Sequence, residues 1–175
     1  MRAALEQVLA GTDRMAAVIQ TLLASERATV ARGTDSCDPG DAIGDVITAM
    51  RPAASAHGIE IAVHRVDSSA SVLADRNHIA QAVAPLLDNA IRHAARRVEV
   101  RVEPDPQGVV IALEDDGPGI GDADPESLFA AGRSTTGGAG LGLPLARRLA
   151  RSLGGEVTTA PRAAGARFEL RLPGA

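Results

Sequence analysis

The stretch Gly137-Gly138-Ala139-Gly140-Leu141-Gly142-Leu143 places four glycines ahead of an apolar-periodic segment, residues 144–149, that carries Arg147 and Arg148. Glycines let backbone N–H groups come close to an anion, and a helix N-terminus adds partial positive charge. That is the physics of a phosphate cradle. Taken alone, a Gly-rich turn before a helix is more often only a turn. No Gly-Lys-Ser/Thr follows, so this is not a Walker loop, and no strand runs directly into it as a dinucleotide fingerprint requires.

Two further constellations lie upstream. In residues 86–94, Asn89, Arg92 and His93 fall on neighbouring positions of one helix. An Asn amide oxygen is a neutral hard ligand suited to Mg²⁺, which keeps several waters and takes its other ligands from phosphates. An Arg one turn on can meet phosphate oxygens. In isolation the same pattern reads as the solvated face of an amphipathic helix. The second constellation is Glu114-Asp115-Asp116-Gly117-Pro118-Gly119-Ile120, at the end of a strand. An Asp there, beside glycines that keep the backbone clear, can accept a hydrogen bond from a purine amino group. Asp-Gly-Pro-Gly is also plain turn chemistry.

These residues must be held by a scaffold, and composition bounds it. The chain has 175 residues, 45% of them hydrophobic, and a formal net charge of −4. That suits one compact domain with an appendage. Phe129 and Phe168 are the only aromatic residues, so the stacking platforms of single-strand nucleic-acid binders are missing. The acidic balance also argues against nucleic acid. Cys37 is the only cysteine, which leaves no internal disulfide and no cysteine metal cluster. No long apolar run and no signal-peptide pattern is present, so the expectation is a cytoplasmic protein.

Periodicity supplies the elements. Leu5, Leu9, Thr12, Ala16, Ile19, Leu23 and Glu26 follow alternating four- and three-residue steps, which predicts a helix over residues 1–28. Its stripe is wide enough for partner helices, and a linker of small and polar residues follows over 32–40. Asp38-Pro39 caps a helix with Ile43, Val46, Ile47 and Met50 on its apolar face, ending near His57-Gly58. Ile59, Ile61 and Val63 alternate as a strand, and residues 71–74 form a short second one. Asp75 caps a helix running to about Ala94. Val98, Val100 and Val102 mark a half-exposed strand that turns through residues 104–108 into a partner over 109–114. A helical turn over 125–129 follows, then a helix over about 140–153 stopped by Gly154-Gly155, then a hairpin of residues 157–160 and 166–172. This order predicts a mixed sheet covered on one face by helices, a two-layer α/β sandwich with an N-terminal helix.

Together these residues resemble the ATP-binding domain of sensor histidine kinases, in the GHKL superfamily with its Bergerat fold. Residues 86–94 are similar to the N box and residues 115–120 to the G1 box. Leu128-Phe129 with Arg133 looks like the F box, and residues 138–143 look like the G2 box. The order and spacing match over residues 38–173. The resemblance implies that Asn89 binds Mg²⁺ and that Asp115 recognises the adenine amino group. It implies that Gly117, Gly119 and Ile120 frame the base, and that Gly138, Gly140, Leu141, Gly142 and Leu143 line the phosphates. His93 would contact the nucleotide. Arg92 and Arg133 would act in catalysis, Arg133 from a mobile lid over residues 121–137. ATP and Mg²⁺ are the implied cofactors.

The resemblance extends backwards. Residues 1–30 look like the second helix of the dimerisation and phosphoacceptor hairpin, without the first helix and its H box, residues 31–37 like a linker, and residues 38–175 like the ATP-binding domain. His57, His64, His78 and His93 are the four histidines, and none lies in the His-Glu/Asp-x-Arg context of a phosphoacceptor. The implied function is a protein-histidine kinase component that passes the γ-phosphoryl of Mg-ATP to a histidine on a partner chain or on an upstream helix. A response regulator would act downstream, and residues 1–28 would form a homodimer or a hetero-oligomer. The alternatives are an anti-sigma-type serine kinase and a non-enzymatic nucleotide-dependent docking module.

Two positions depart from the family pattern. Pro85 stands where Asn is usual, which predicts a helix kink and a weaker metal site. Gly165-Ala166 stands where Gly-Thr is common, which removes one polar contact near the base.

Overall fold

The computed structural model describes residues 36–65, 71–121, 124–130, 140–160, 162 and 164–175. The helix expected over residues 1–28 lies outside the described residues, as do Arg133 and Gly138.

Strand β1 (Ser36–Cys37) leads into helix α1 (Pro39–Ala56). Asp38 caps α1, its Oδ1 accepting from the Gly40 N–H at 2.8 Å, and Pro39 takes the first helical position where no donor is needed. Strands β2 (Glu60–Arg65) and β3 (Val72–Leu73) precede helix α2 (Arg76–His93). Asp75 caps α2 through the Asn77 N–H at 2.7 Å. Strands β4 (Arg97–Asp105) and β5 (Gly108–Asp115) form a hairpin whose turn is only Pro106 and Gln107. Pro104 and Asp105, expected in the turn, pair with Val109 and Gly108 inside the ladder. A short helix α3 (Pro125–Leu128), helix α4 (Gly142–Ser152) and strands β6 (Glu156–Thr159) and β7 (Arg167–Pro173) complete the described chain.

The main sheet has five strands in the order β2-β4-β5-β7-β6. β2 runs parallel to β4, because α2 carries the chain across between them, and the remaining neighbours are antiparallel. Val98, Val100 and Val102 of β4 point inward and are buried with Ile111 and Leu113 of β5 and Leu170 and Leu172 of β7. Against this face pack α1, α2 and α4, with α2 in the middle touching both others. Ile79, Val83, Leu86, Leu87 and Ala90 form the buried stripe of α2, at the spacing a helix needs to cover a sheet. The expected two-layer sandwich is thus the observed one.

The opposite face of the sheet carries paired charges. Glu114 and Glu169 are buried there, held by Arg101, Arg162, Arg167 and Arg171.

One local feature differs from expectation: Ser36 and Cys37, read from composition as linker, pair antiparallel with Leu73 and Val72 in a separate two-stranded sheet. Helix α2 runs from Arg76 to His93 with Pro85 inside it. Among the described residues, no helix is long and apolar enough to cross a membrane.

Candidate nucleotide site

The site is built where the C-terminal half of α2, the end of β5, the loop after it and the start of α4 converge. Asp115, the last residue of β5, is 2% exposed. Its Oδ1 accepts from the N–H of Gly117 at 2.9 Å and of Ala166 at 3.2 Å. Its Oδ2 is buried and has no hydrogen-bond partner. Buried carboxylate oxygens are rarely left so, because desolvation without a partner is unfavourable. A ligand donor, such as an exocyclic amino group, would complete it.

The next residue does different work. Asp116 Oδ1 accepts from three backbone N–H groups, Ala95 at 2.8 Å, Arg96 at 3.0 Å and Arg97 at 3.0 Å. These N–H groups, chiefly those of Arg96 and Arg97, hold the Asp116 carboxyl below the usual range for an aspartate. Asp116 thereby ties the end of α2 to the end of β5. Nothing in the local sequence separates its role from that of Asp115, since the three donors come from another element.

The glycines after it are required by the protein itself. A Cβ on Gly117 would lie 2.1 Å from the His93 carbonyl oxygen. Gly119 has φ +80° and packs on Gly165, where a Cβ would lie 2.9 Å from the carbonyl oxygen. Gly165 in turn abuts Asp115, with a Cβ calculated at 1.8 Å from its carbonyl oxygen. Gly117 and Gly119 thus clear space for neighbouring backbone within the fold, and Ile120 packs against the core. At the 166 position, the Ala166 backbone N–H donates to Asp115 Oδ1.

On α2, Asn89 and His93 are half-buried and Arg92 is exposed. Arg92 Nε donates to Asp88 Oδ2 at 2.8 Å, one turn back along the helix. No hydrogen bond among the described residues engages the Asn89 amide, whose oxygen is available as a neutral ligand. Among the described residues no group of three or more His, Cys, Asp or Glu could hold a metal. Pro85, one turn before Asn89, faces the start of α4: a Cβ on Gly142 would lie 3.8 Å from the Pro85 Cβ.

α4 begins after Gly140 and Leu141 with no side-chain cap at its N-terminus. Its first N–H groups have no intrahelical acceptors, so the helix start suits an anion. Leu143 anchors that turn against the core. One turn further, Arg147 Nη1 and Nη2 grip the Glu126 carboxylate at 2.7 and 3.0 Å, and Nε reaches Glu156 at 2.6 Å. Its guanidinium also stands 4.5 Å over the Phe129 ring. Arg147 therefore fixes α3 and Phe129 onto α4, a role its sequence context alone did not mark.

A buried carboxylate with one unpartnered oxygen and an uncapped helix start thus lie together on a mixed α/β sandwich. The chain belongs to the family of histidine kinase-, DNA gyrase B- and HSP90-like ATPases, which it matches over residues 74–175. It is 31% identical over 145 residues to the alginate biosynthesis sensor protein KinB of Pseudomonas aeruginosa, covering 79% of this chain and 24% of the relative. It is 31% identical over 164 residues to the C4-dicarboxylate transport sensor protein DctB of the same species, covering 89% of this chain and 27% of that one. The chain thus spans about a quarter of the length of these curated sensor kinases. Among solved structures it is similar to full-length ShkA in complex with AMPPNP, at a TM-score of 0.80 and 27% identity, covering 99% of this chain and 39% of that one. It is also similar to the mycobacterial sensor histidine kinase MprB, at a TM-score of 0.70 and 26% identity, over 81% and 97% of the two chains.

Proposed function

We propose that this chain binds Mg-ATP and serves as the phosphoryl-donating component of a histidine kinase, with the acceptor histidine outside its own ATP-binding domain. The observation that carries the reading is the buried, unpartnered Oδ2 of Asp115, set in the loop that the Asp116 clamp fastens to the Asn89 helix. Asp115 accepts the adenine amino group. The uncapped N–H groups at the start of α4, with Gly140, Leu141, Gly142 and Leu143, receive the phosphates. Asn89 would offer its amide oxygen to Mg²⁺, which when bound would supply neutralisation of phosphate charge. Arg92 reaches a phosphate after leaving Asp88. Gly138 and Arg133, assigned to the same site from sequence, lie outside the described residues. Phosphoryl transfer rests chiefly on positioning and electrostatic stabilisation, so the protein's work is to hold these groups in place.

The acceptor is supplied in trans through residues 1–28, whose apolar stripe suits a helical hairpin of another chain. The test uses γ-labelled ATP. The chain alone is expected to acquire little label. A partner bearing a phosphoacceptor hairpin is expected to gain acid-labile phosphohistidine, and Asn89→Ala to abolish it. Strong label on one of the chain's own four histidines would reject transfer in trans. Label on a serine of a partner would favour the serine-kinase alternative, and nucleotide binding with no transfer to any acceptor would favour a docking module.

A further inference from the structure

We propose that Arg162 is a positioning residue for base recognition, setting the Asp115 carboxylate from the far side of the sheet; this rests on the ATP-binding reading above. Glu114 and Asp115 are consecutive in β5, so their side chains leave opposite faces of the sheet. Asp115 points to the site. Glu114 is on the charged face and is only 6% exposed. A carboxylate buried that far needs partners, and it has them in the Arg167 and Arg162 guanidinium groups, Arg162 Nη2 lying 3.2 Å away.

The second nitrogen of Arg162 makes the connection. Nη1 donates to the Asp115 backbone carbonyl oxygen at 3.1 Å. The β5–β7 ladder ends at the Glu114–Arg167 pair. Just beyond it the Asp115 N–H donates to the Ala166 carbonyl at 3.0 Å, and Arg162 satisfies the Asp115 carbonyl where no further ladder donor exists. One guanidinium therefore links the buried Glu114 side chain to the main chain of Asp115.

That link bears on the base because the same connection from β6 to β7 supplies Ala166. The Ala166 N–H holds Asp115 Oδ1, and it is this restraint, with the Gly117 N–H, that leaves Oδ2 as the oxygen presented to a ligand. Arg162 reaches the site only through the Asp115 main chain. Its removal is expected to loosen the Asp115 carboxylate while leaving the phosphate end, on α2 and α4, as it was.

The experiment is calorimetric titration of the whole chain with ATP, ADP and GTP, for wild type, Arg162→Ala, Arg162→Lys, Asp115→Asn and the double variant Arg162→Ala/Asp115→Asn. Arg167 still pairs with Glu114 when Arg162 is removed, so the alanine variant is expected to keep its thermal midpoint within a few degrees. ATP and ADP affinity should fall together by about three- to tenfold, the net worth of one hydrogen bond, and the preference for ATP over GTP should shrink by the same factor. Arg162→Lys should recover part of the loss. In the Asp115→Asn background, Arg162→Ala should change ATP affinity by less than about twofold. Wild-type binding of ATP with unchanged affinity and base preference in Arg162→Ala overturns the inference alone, and so does an equal loss in both backgrounds. Failure of wild type to bind any adenine nucleotide overturns the ATP-binding reading on which it stands.

Discussion

Gly117 meets His93 backbone to backbone: a methyl group on Gly117 would stand 2.1 Å from the His93 carbonyl oxygen and 2.9 Å from Asp115 Oδ1. The glycine loop and the Asn89 helix are thus pressed together at the point where the base-recognising Asp is oriented. Neither neighbour can yield, since one is main chain and the other is already held by two N–H groups.

Gly117→Ala is therefore expected to push the loop off the helix. Overpacking of this kind destabilises by about 1–3 kcal/mol, which for a domain of this size lowers the melting temperature by roughly 3–10 °C. Gly44→Ala is the matched control. Gly44 sits within α1 with nothing within 4 Å of its Cβ position, so alanine there is expected to stabilise by roughly 0.5–1 kcal/mol. Urea melts of both variants, with a titration of ATP, check the pair; similar shifts in both would remove the packing argument.

Asp115→Asn separates recognition from folding. The Gly117 and Ala166 N–H groups require an acceptor, so the amide oxygen takes the Oδ1 position and the NH₂ takes the place of Oδ2. A donor then faces the adenine amino group, also a donor. ATP affinity is expected to fall at least tenfold, in line with about 1.5–3 kcal/mol for a hydrogen bond to a charged group. GTP, whose O6 is an acceptor, should lose much less. Unchanged ATP affinity would remove Asp115 from the site.

Acid should loosen the same region through Asp116. Its folded-state pKa lies below the ordinary value, because Arg96, Arg97 and Ala95 donate to the ionised form. A depressed carboxylate contributes stability that is present above its unfolded value of about 4 and is lost as pH falls through the lower folded value. Urea midpoints measured from pH 6 to pH 2.5 should fall below about pH 4. Asp116→Asn should flatten part of that fall, and an identical acid slope in the variant would assign it to other carboxylates.

The architecture was legible because its signals are local. Asp38-Pro39 and Asp75 announce helix starts, and Val98, Val100 and Val102 announce a strand by alternation. What was not legible is long-range. Ser36 and Cys37 gain strand character only from Val72 and Leu73. Asp116 acquires its clamp from residues 19 to 21 positions earlier in the chain. Glu114 is covered by Arg162 and Arg167, which come from the far end of the chain. Gly117 and Gly119 also clear space within the fold, for His93 and Gly165, which are distant in sequence.

Arg147 gives a spectroscopic prediction. Glu126 and then Glu156 hold its guanidinium in the charged form, and Phe129 lies beneath it. The chain has only two phenylalanines and no other aromatic residue, so fluorinated phenylalanine would give two ¹⁹F resonances. Phe168 is buried in the core and serves as the internal reference. Arg147→Met is expected to shift and broaden the Phe129 signal, leave that of Phe168 in place, and speed amide exchange over residues 125–130. Coincident spectra would show that the grip on Glu126 does not hold α3.

Pro85 supplies the last prediction. It lies one turn before Asn89 and faces Gly142, at the end of the site where phosphates and cation would sit. Proline offers no side-chain oxygen there, and it removes the N–H that would bond the Gln81 carbonyl. Pro85→Asn restores both groups at once, and Pro85→Ala restores only the N–H. Both variants should raise the urea midpoint, since proline within a helix is unfavourable by up to about 3 kcal/mol relative to alanine. Only the asparagine variant should tighten ATP binding in the presence of Mg²⁺, by about three- to tenfold for one added oxygen ligand, with no change in the presence of chelator. Equal gains in the two variants, with and without Mg²⁺, would place the effect of residue 85 in the backbone and leave Asn89 as the whole of the chain's offer to the metal.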